Sequence, residues 1–378
     1  MNTGTRPRLC MLVPALPPQL DGIGDYSAMV ASGLSKQFDV SIVVRKQTTT
    51  PNTVPGVASV TQYGHNNRAK DVLQVYDHVQ QLNAEGLLVQ YNPFSYGRRG
   101  LNPWLPIVLR RIATNGTCLG VMAHETYVVS GSPLWRLIGR LQQLQLAAIG
   151  KTARITYTSC ERYREHVSAV APKATVRVMP IGSNIPRVPA DRAVQKERLG
   201  IPADTTVLGL FGTTGSGVQP GFIAEVLRRS AGSSKCVILL YVGSQGDALR
   251  DVIPNDQLMD LGRLQPNEVS LAMSAMDIYL ATFDDGISTR RGTVMAALQH
   301  GIALVGTRGK NTDSLLQREE DASLLLASAD SADAYATAAW TLINDPERTA
   351  CLGIAGAALY DRVFDWRHTI AATASFME

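Results

Sequence analysis

The sequence predicts an α/β protein of two domains, and three stretches carry that prediction. Leu9–Leu34, the segment from Thr206 through Gly217, and Asp277–Thr307 each run from an apolar strand through a glycine-containing loop toward a helix. A unit of this kind aims a helix's unbonded N–H groups and the positive end of its dipole at the carboxyl edge of a parallel sheet. With 378 residues, 45% of them hydrophobic, the chain is long enough to bury two separate cores.

Composition narrows the function classes. The net charge is +4, only 18% of residues are charged, and no run of one sign stands out, which argues against nucleic acid as a partner. The 5 cysteines are scattered and mostly sit in apolar segments, so they are expected to be reduced and structural, as suits a cytoplasm. Leu9–Leu16 is interrupted by Pro14, so it reads neither as a signal core nor as a spanning helix. The histidines lack ligand-like spacing, and no metal site is expected.

Leu9–Val13 is a first buried strand. The loop Pro14–Gly24 ends in Asp21-Gly-Ile-Gly-Asp25 ahead of a helix bearing Tyr26, Met29, Val30 and Leu34, and Val40–Val44 closes a β-α-β unit. The loop is not Gly-x-Gly-x-x-Gly, and no acidic residue ends the second strand, so a nicotinamide dehydrogenase is disfavoured. Asn66–Asn83 has helical apolar spacing, and Leu87–Tyr91 is the next strand. After it, Tyr91, Phe94, Tyr96, Arg98, Arg99 and Trp104 gather in one stretch that suits a sugar or an anionic lipid head by stacking and charge. An ordinary surface loop is the plain alternative. His124 and Glu125 end the strand Leu119–Met122 as candidate sugar contacts, against a hydrogen-bonded structural histidine. Leu134–Ala148 places Leu134, Leu137, Ile138, Leu141 and Leu144 on one side. That pattern predicts a half-buried core helix rather than one lying on an anionic membrane.

The polar stretch Arg187–Asp204 is the expected boundary between domains. Beyond it, Gly212-Thr-Thr-Gly-Ser-Gly217 would let backbone N–H groups approach an anion, though it lacks the Gly-Lys-Ser/Thr ending of a P-loop. Cys236–Val242 is a long buried strand ending at Gly243. In the third stretch, Ile278–Ala281 is a strand broken by Asp284–Gly286, and Ser288 or Thr289 is expected to cap a helix that turns Val294, Met295, Ala297 and Leu298 inward. Arg290 and Arg291 add fixed positive charge there, which makes a place to hold a phosphate. Leu352–Ser375 reads as an alanine-rich helix anchored by Phe364 and Trp366.

Taken in order, Asp21–Ser27, Gln90–Phe94 with Gly97–Gly100, His124-Glu125, Pro180–Pro186, Leu261–Leu264 and Asp285–Thr293 with Met295–Leu298 resemble the group 1 glycosyltransferases, family 4 of the retaining GT-B enzymes, over nearly the whole chain. The resemblance implies two Rossmann-like domains facing across a cleft: residues 1–190 on the acceptor side, residues 200–355 holding a nucleotide diphosphate-sugar, and residues 356–378 crossing back to the first domain. It implies a metal-independent, cofactor-free transfer of a hexose-type sugar, with retention, to a hydroxyl acceptor, and the aromatics and paired arginines between Tyr91 and Trp104 predict a glycan or polyprenyl-diphosphate glycan as that acceptor. The expected setting is the cytoplasm, with peripheral contact at an anionic inner membrane face.

By that likeness Gly22, Ile23 and Gly24 approach the diphosphate and sugar, with His124 and Glu125 near the sugar. Gly212, Thr213, Thr214, Gly243 and Arg263 line the nucleotide, together with Asp284, Gly286, Ile287, Ser288, Thr289 and Thr293. Asp285, Arg290 and Arg291 carry the electrostatics of the reaction. Tyr91, Phe94, Tyr96, Arg98 and Arg99 meet the acceptor. The chain departs from the family pattern where many members carry two glutamates: Ser288 stands near the first and Ala296 near the second, eight positions on. The usual lysine is missing from Gly212–Gly217. These gaps keep open a silent, nucleotide-sugar-binding homologue that acts as a partner or scaffold.

Overall fold

The computed structural model describes residues 6–19, 21–64, 68–129, 131–215 and 217–378. The chain divides into two compact units, one reaching to Pro180 and joined by Trp366–Glu378, the other Ile181–Asp365.

In the first unit seven strands form one sheet: β1 (Arg8–Val13), β2 (Asp39–Arg45), β3 (Ser59–Tyr63), β4 (Gly86–Tyr91), β5 (Cys118–Ala123), β6 (Ile155–Thr158) and β7 (Val176–Val178). All pair in parallel, in the order β3-β2-β1-β4-β5-β6-β7. Parallel sheets are covered on both faces, which is why β4 reads Gly-Leu-Leu-Val-Gln-Tyr and every residue of it is buried. The second unit repeats the plan with β8 (Thr206–Phe211), β9 (Val237–Val242), β10 (Leu258–Asp260), β11 (Ile278–Ala281), β12 (Ala303–Arg308) and β13 (Leu325–Ser328), in the order β10-β9-β8-β11-β12-β13. Successive residues of β9 enter opposite layers, Leu240 and Val242 in one core and Leu239 and Tyr241 in the other, as the pleat requires. In both sheets the order reverses beside the first strand, between β1 and β4 and between β8 and β11. Crevices at the carboxyl ends of such strands are where ligands of open α/β sheets bind.

Several boundaries differ from the sequence expectation, each for a local reason. The division falls at Pro180, not within Arg187–Asp204. That stretch is fastened to the second unit: Val188 N donates to Ser270 Oγ at 2.9 Å, and the helix Arg192–Arg198 buries Lys196 against Asp277 at 2.8 Å. The terminal helix breaks at Asp365, after a π-helical turn Tyr360–Phe364. Phe364 is buried in the second unit, whereas Trp366 packs 5.3 Å from Tyr26 and Tyr157 Oη donates to Ala372 O at 2.6 Å in the first. Asn66 lies outside the described residues, and the periodic segment after it is a 3₁₀ turn Ala69–Leu73 followed by the helix Gln74–Gln81. None of the five cysteines is in a disulfide; Cys10 and Cys160 are buried but Cys236 and Cys351 exposed, so only part of the set packs as small hydrophobes. The helix Pro133–Thr152 buries Ile138, while Leu134, Leu137, Leu141 and Leu144 are exposed instead of facing the core.

Candidate functional site

The second unit gathers charge at the β8/β11 reversal. After β11 the chain makes a tight path in which Gly286, at φ 87°, lies against Gly309: a Cβ there would come within 2.4 Å of Gly309 N. This contact brings the loop after β12 beside the loop after β11, and the two share Asp285. Its carboxylate accepts from Arg291 Nη2 at 2.8 Å, Arg290 Nη2 at 3.3 Å and Asn311 Nδ2 at 2.5 Å. Burial alone would raise the Asp285 pKa, but the Arg291 charge, the Asn311 hydrogen bond and Arg290 together hold it below the usual carboxylate value. Arg291 also stacks 4.0 Å over the Phe283 ring. Both guanidinium groups are therefore oriented at the N-terminus of the helix Gly292–Gln299, where the first N–H groups have no intrahelical acceptor.

The loop after β8 closes the other side. Val218 and Phe283 form an antiparallel bridge, and Asp284 N donates to Gly217 O at 2.8 Å. Gly212 has φ 106° and Gly217 φ 95°, both in the left-handed region that favours glycine; Ser216 between them lies outside the described residues. A Cβ on Gly212 would sit 2.9 Å from Thr293 Cγ2, which puts the β8 loop against the first turn of that helix. Tyr241 Oη donates to Gly212 O at 2.8 Å, and Gly243 lies directly behind, with room for no Cβ. Thr213 and Arg263 are exposed, while Thr214 is buried and spends its hydroxyl on Gln245 O.

Four expectations in this loop change. The helix begins at Gly292 with Arg291 as its N-cap residue, so neither Ser288 nor Thr289 caps it. Thr289 instead donates through N at 2.6 Å and Oγ1 at 3.0 Å to the buried Asp313, which pins the loop from below. Ile287 points into the core, where its side chain fills the space above Gly306. Ser288 and Ala296 are both buried, and the Ser288 and Thr282 hydroxyls find no hydrogen-bond partner among the described residues. Asp284 is exposed, its carboxylate 3.2 Å from where a Cβ on Gly217 would stand.

The first unit has its own reversal, between β1 and β4. The glycines of Asp21–Asp25 do not form a loop. They make the first turn of the helix Gly22–Leu34, with Asp21 Oδ1 accepting from Gly24 N at 2.8 Å as its cap. A Cβ on Gly24 would lie 3.0 Å from Ala15 O, so this glycine lets the helix lie against the loop after β1. Gly22 is exposed, and a Cβ there would meet no described atom within 4 Å; Ile23 is half-buried. His124, at the end of β5, places Nε2 2.8 Å from Gln90 Oε1 and has the Tyr26 ring edge-on at 4.8 Å. Burial pushes the imidazole pKa down to about 3, which keeps it uncharged. Glu125 follows it, half-buried.

Beside these, a cavity of about 440 Å³ opens among the ends of β1, β2 and β4, lined in part by Asp21, Arg45, Lys46, Gln47, Phe94 and Ser95. Phe94 lines this cavity, and Arg98 and Arg99 are exposed further along the same loop. Tyr91 and Tyr96 face inward. Both are buried in the core, and their hydroxyls are engaged, Tyr96 donating to Gln90 O at 2.9 Å and Tyr91 accepting from Gln145 Nε2 at 3.0 Å. Sequence reasoning missed Phe283, Asn311, Asp313, Gln90 and Arg45; each acts through another residue or from a strand end whose neighbours only the sheet order reveals. Among the described residues no three His, Cys, Asp or Glu side chains group where they could hold a metal ion.

Two parallel sheets with the same order reversal, each covered by helices and each carrying its polar loops at the carboxyl ends, define the GT-B class of fold. The structure is similar over 98% of both chains to sucrose-phosphate synthase from Thermosynechococcus elongatus, at a TM-score of 0.74 and 14% identity. It is similar to Anabaena HepE in complex with UDP and glucose, at a TM-score of 0.70 and 13% identity over 98% of this chain and 99% of that one. It is also similar to WaaG, a glycosyltransferase involved in lipopolysaccharide biosynthesis, at a TM-score of 0.68 and 13% identity, with 98% and 99% covered. No family model matches the chain, and no curated protein matches it by sequence.

Proposed function

We propose that the chain is a glycosyltransferase that moves a sugar from a nucleoside diphosphate donor to a hydroxyl acceptor. The observation that carries this reading is the convergence of Arg290, Arg291, the glycine loop after β8 and the N-terminus of Gly292–Gln299 at one sheet reversal. Cleavage of the sugar–phosphate bond builds negative charge on the departing diphosphate. Oriented arginines and helix N–H groups stabilise that charge without reorganising at the moment of reaction. Structures of HepE with UDP and with UDP-glucose support a donor of this kind on the same fold. In our reading the arginines supply the compensating charge, so that transfer proceeds without a divalent metal and with retention at the anomeric carbon. Neutral His124 serves as a hydrogen-bonding group near the sugar.

The acceptor side is the cavity between β1, β2 and β4. Phe94 offers a face to a sugar ring, and Arg45 and Lys46 offer charge to a phosphate, which fits a glycan or a polyprenyl-diphosphate glycan. This reading places the enzyme in the cytoplasm. A donor screen by nucleotide release tests it, with product anomers read by proton NMR and EDTA added in parallel. The expected result is release from one nucleoside diphosphate-sugar, with retention, unaffected by EDTA; no release from any donor with any glycan or lipid acceptor would overturn transfer.

A second reading, a silent nucleotide-sugar-binding partner, is favoured by one feature: Asp285 already occupies both arginines, and the positions of the family's glutamates are the buried Ser288 and Ala296. Tight nucleotide binding without release would select it.

A further inference from the structure

The helix Pro133–Thr152 is apolar on two faces. Its inner face buries Ile138, Leu146 and Ile149 together with two glutamines: Gln142 accepts from Val128 N at 2.8 Å and donates to Arg99 O at 2.8 Å, and Gln145 accepts from Asn102 N at 2.7 Å. Its outer face carries leucines, with Leu134 50%, Leu137 55%, Leu141 43% and Leu144 68% exposed, spaced as one helical stripe. The helix Trp104–Thr114 packs beside it and leaves Trp104 and Ile107 exposed as well. Of the thirteen exposed large apolar side chains among the described residues, nine fall between Phe94 and Leu144, whereas isolated exposed apolar residues are spread over a surface.

Charge is segregated with them. Between Gly86 and Cys160 the chain has eight Lys or Arg and one acidic residue, Glu125. The next helix, Glu161–Val170, sets Glu161 and Glu165 against Arg162 and Arg164, and so does not reverse the balance. Because the basic residues are dispersed over 75 positions, no run of charge marks them in the sequence.

We infer that this face of the first unit docks on an anionic lipid bilayer, with the leucine stripe and the tryptophans entering the interface and Arg136, Arg140 and their neighbours meeting the headgroups. A leucine face with tryptophan and arginine at its borders is the composition of a helix that lies in the interfacial plane. Among the described residues no helix is long and apolar enough to cross a membrane, so the association is peripheral. Surface docking does not depend on the transfer reading. If that reading holds, the Arg98–Gly100 turn tied to this helix lies a few residues from Phe94, and a lipid-borne acceptor would be delivered to the cavity rim.

Flotation of the full chain with vesicles of phosphatidylcholine, alone or mixed with phosphatidylglycerol, tests this directly and needs no substrate. The protein is expected to float with the anionic vesicles, to leave them in high salt, and to remain behind with phosphatidylcholine alone. Arg136→Ala and Arg140→Ala should each weaken binding about fivefold, and Leu137→Glu with Leu144→Glu should abolish it with melting temperature unchanged. The tryptophan emission of the unaltered chain should shift to the blue on anionic vesicles. That shift should vanish in Trp104→Phe/Trp135→Phe, although Trp340 and Trp366 remain. Absence of flotation, flotation indifferent to the leucine changes, or a lipid-free dimer that Leu137→Glu with Leu144→Glu dissociates would each overturn the inference, the last by showing that a second copy covers the face.

Discussion

The two sheet reversals solve the same topological problem with different chemistry. At β8/β11 the loops concentrate ionised groups, Arg290 and Arg291 around Asp285, and fix them by stacking and by a buried Asp313 below. At β1/β4 and the neighbouring end of β5, a buried, uncharged cluster of His124, Tyr26 and Gln90 stands near a bare Gly22 and a cavity lined in part by Asp21, Arg45 and Lys46. One unit ties its charges to a single half-buried carboxylate, and the other sets a neutral hydrogen-bonded cluster apart from the charged lining of its cavity.

The contrast can be broken most strongly on the charged side. Arg290→Ala and Arg291→Ala should each slow transfer on the order of 100-fold, measured as nucleotide release at saturating donor. Arg291→Lys should recover little, since an ammonium cannot both lie flat on Phe283 and pair with Asp285. A rate equal to that of the unaltered chain would leave the arginines as a solvated ion pair.

Asp285→Asn removes the shared negative charge and one of the two accepting oxygens, and should cost about 1–3 kcal/mol of unfolding free energy at neutral pH. Asp285 also has a pH signature. Its pKa is depressed in the folded chain, so its contribution is present above the ordinary carboxylate value and is lost as pH falls through the lower folded value. Urea midpoints followed into acid should therefore show a smaller loss in the Asn variant.

His124 should behave in the neutral sense. Its folded pKa of about 3 lies below the ordinary 6.5, so below 6.5 the unfolded chain takes up a proton that the folded chain refuses. Stability should fall from that point toward pH 3, and His124→Gln should flatten the slope. An unchanged slope would mean that the imidazole is more open to water than its contacts imply. The smallest effect distinguishes two glycines one residue apart. Gly24→Ala should destabilise through contact with Ala15 O, whereas Gly22→Ala should be neutral or gain about 0.5–1 kcal/mol. If Gly22 faces the donor, the same change should weaken donor binding.

The strands β1, β2, β4, β5, β8, β9 and β11 were legible because buried parallel strands are continuous apolar runs bounded by glycine and polar loops, whereas β3, β6, β10 and β13, of three to five residues each, were not picked out. The loop after β11 was legible as a charged place, since Arg290 and Arg291 stand together in sequence. What each side chain does there was not. Thr289 and Ile287 look identical in pattern to ligand-facing residues, and only the approach of Asp313 and Gly306, from another strand, turns them inward. Tyr91 and Tyr96 read as a sugar platform until partners far along the chain absorb their hydroxyls. The leucines of Pro133–Thr152 mislead for the converse reason. Helical spacing fixes which residues share a face but not which face meets the core, and here the glutamines satisfy loop backbone that leucines could not.

The central claim is that the β8/β11 reversal holds a diphosphate through Arg291, and calorimetric titration of UDP, GDP and ADP into the chain and into Arg291→Ala tests it without any acceptor. One of the three is expected to bind, and its affinity should fall at least tenfold in the variant while melting temperature is held, a loss equivalent to about 1.4 kcal/mol. Binding of none of them, or equal affinity in the two proteins, would contradict the account.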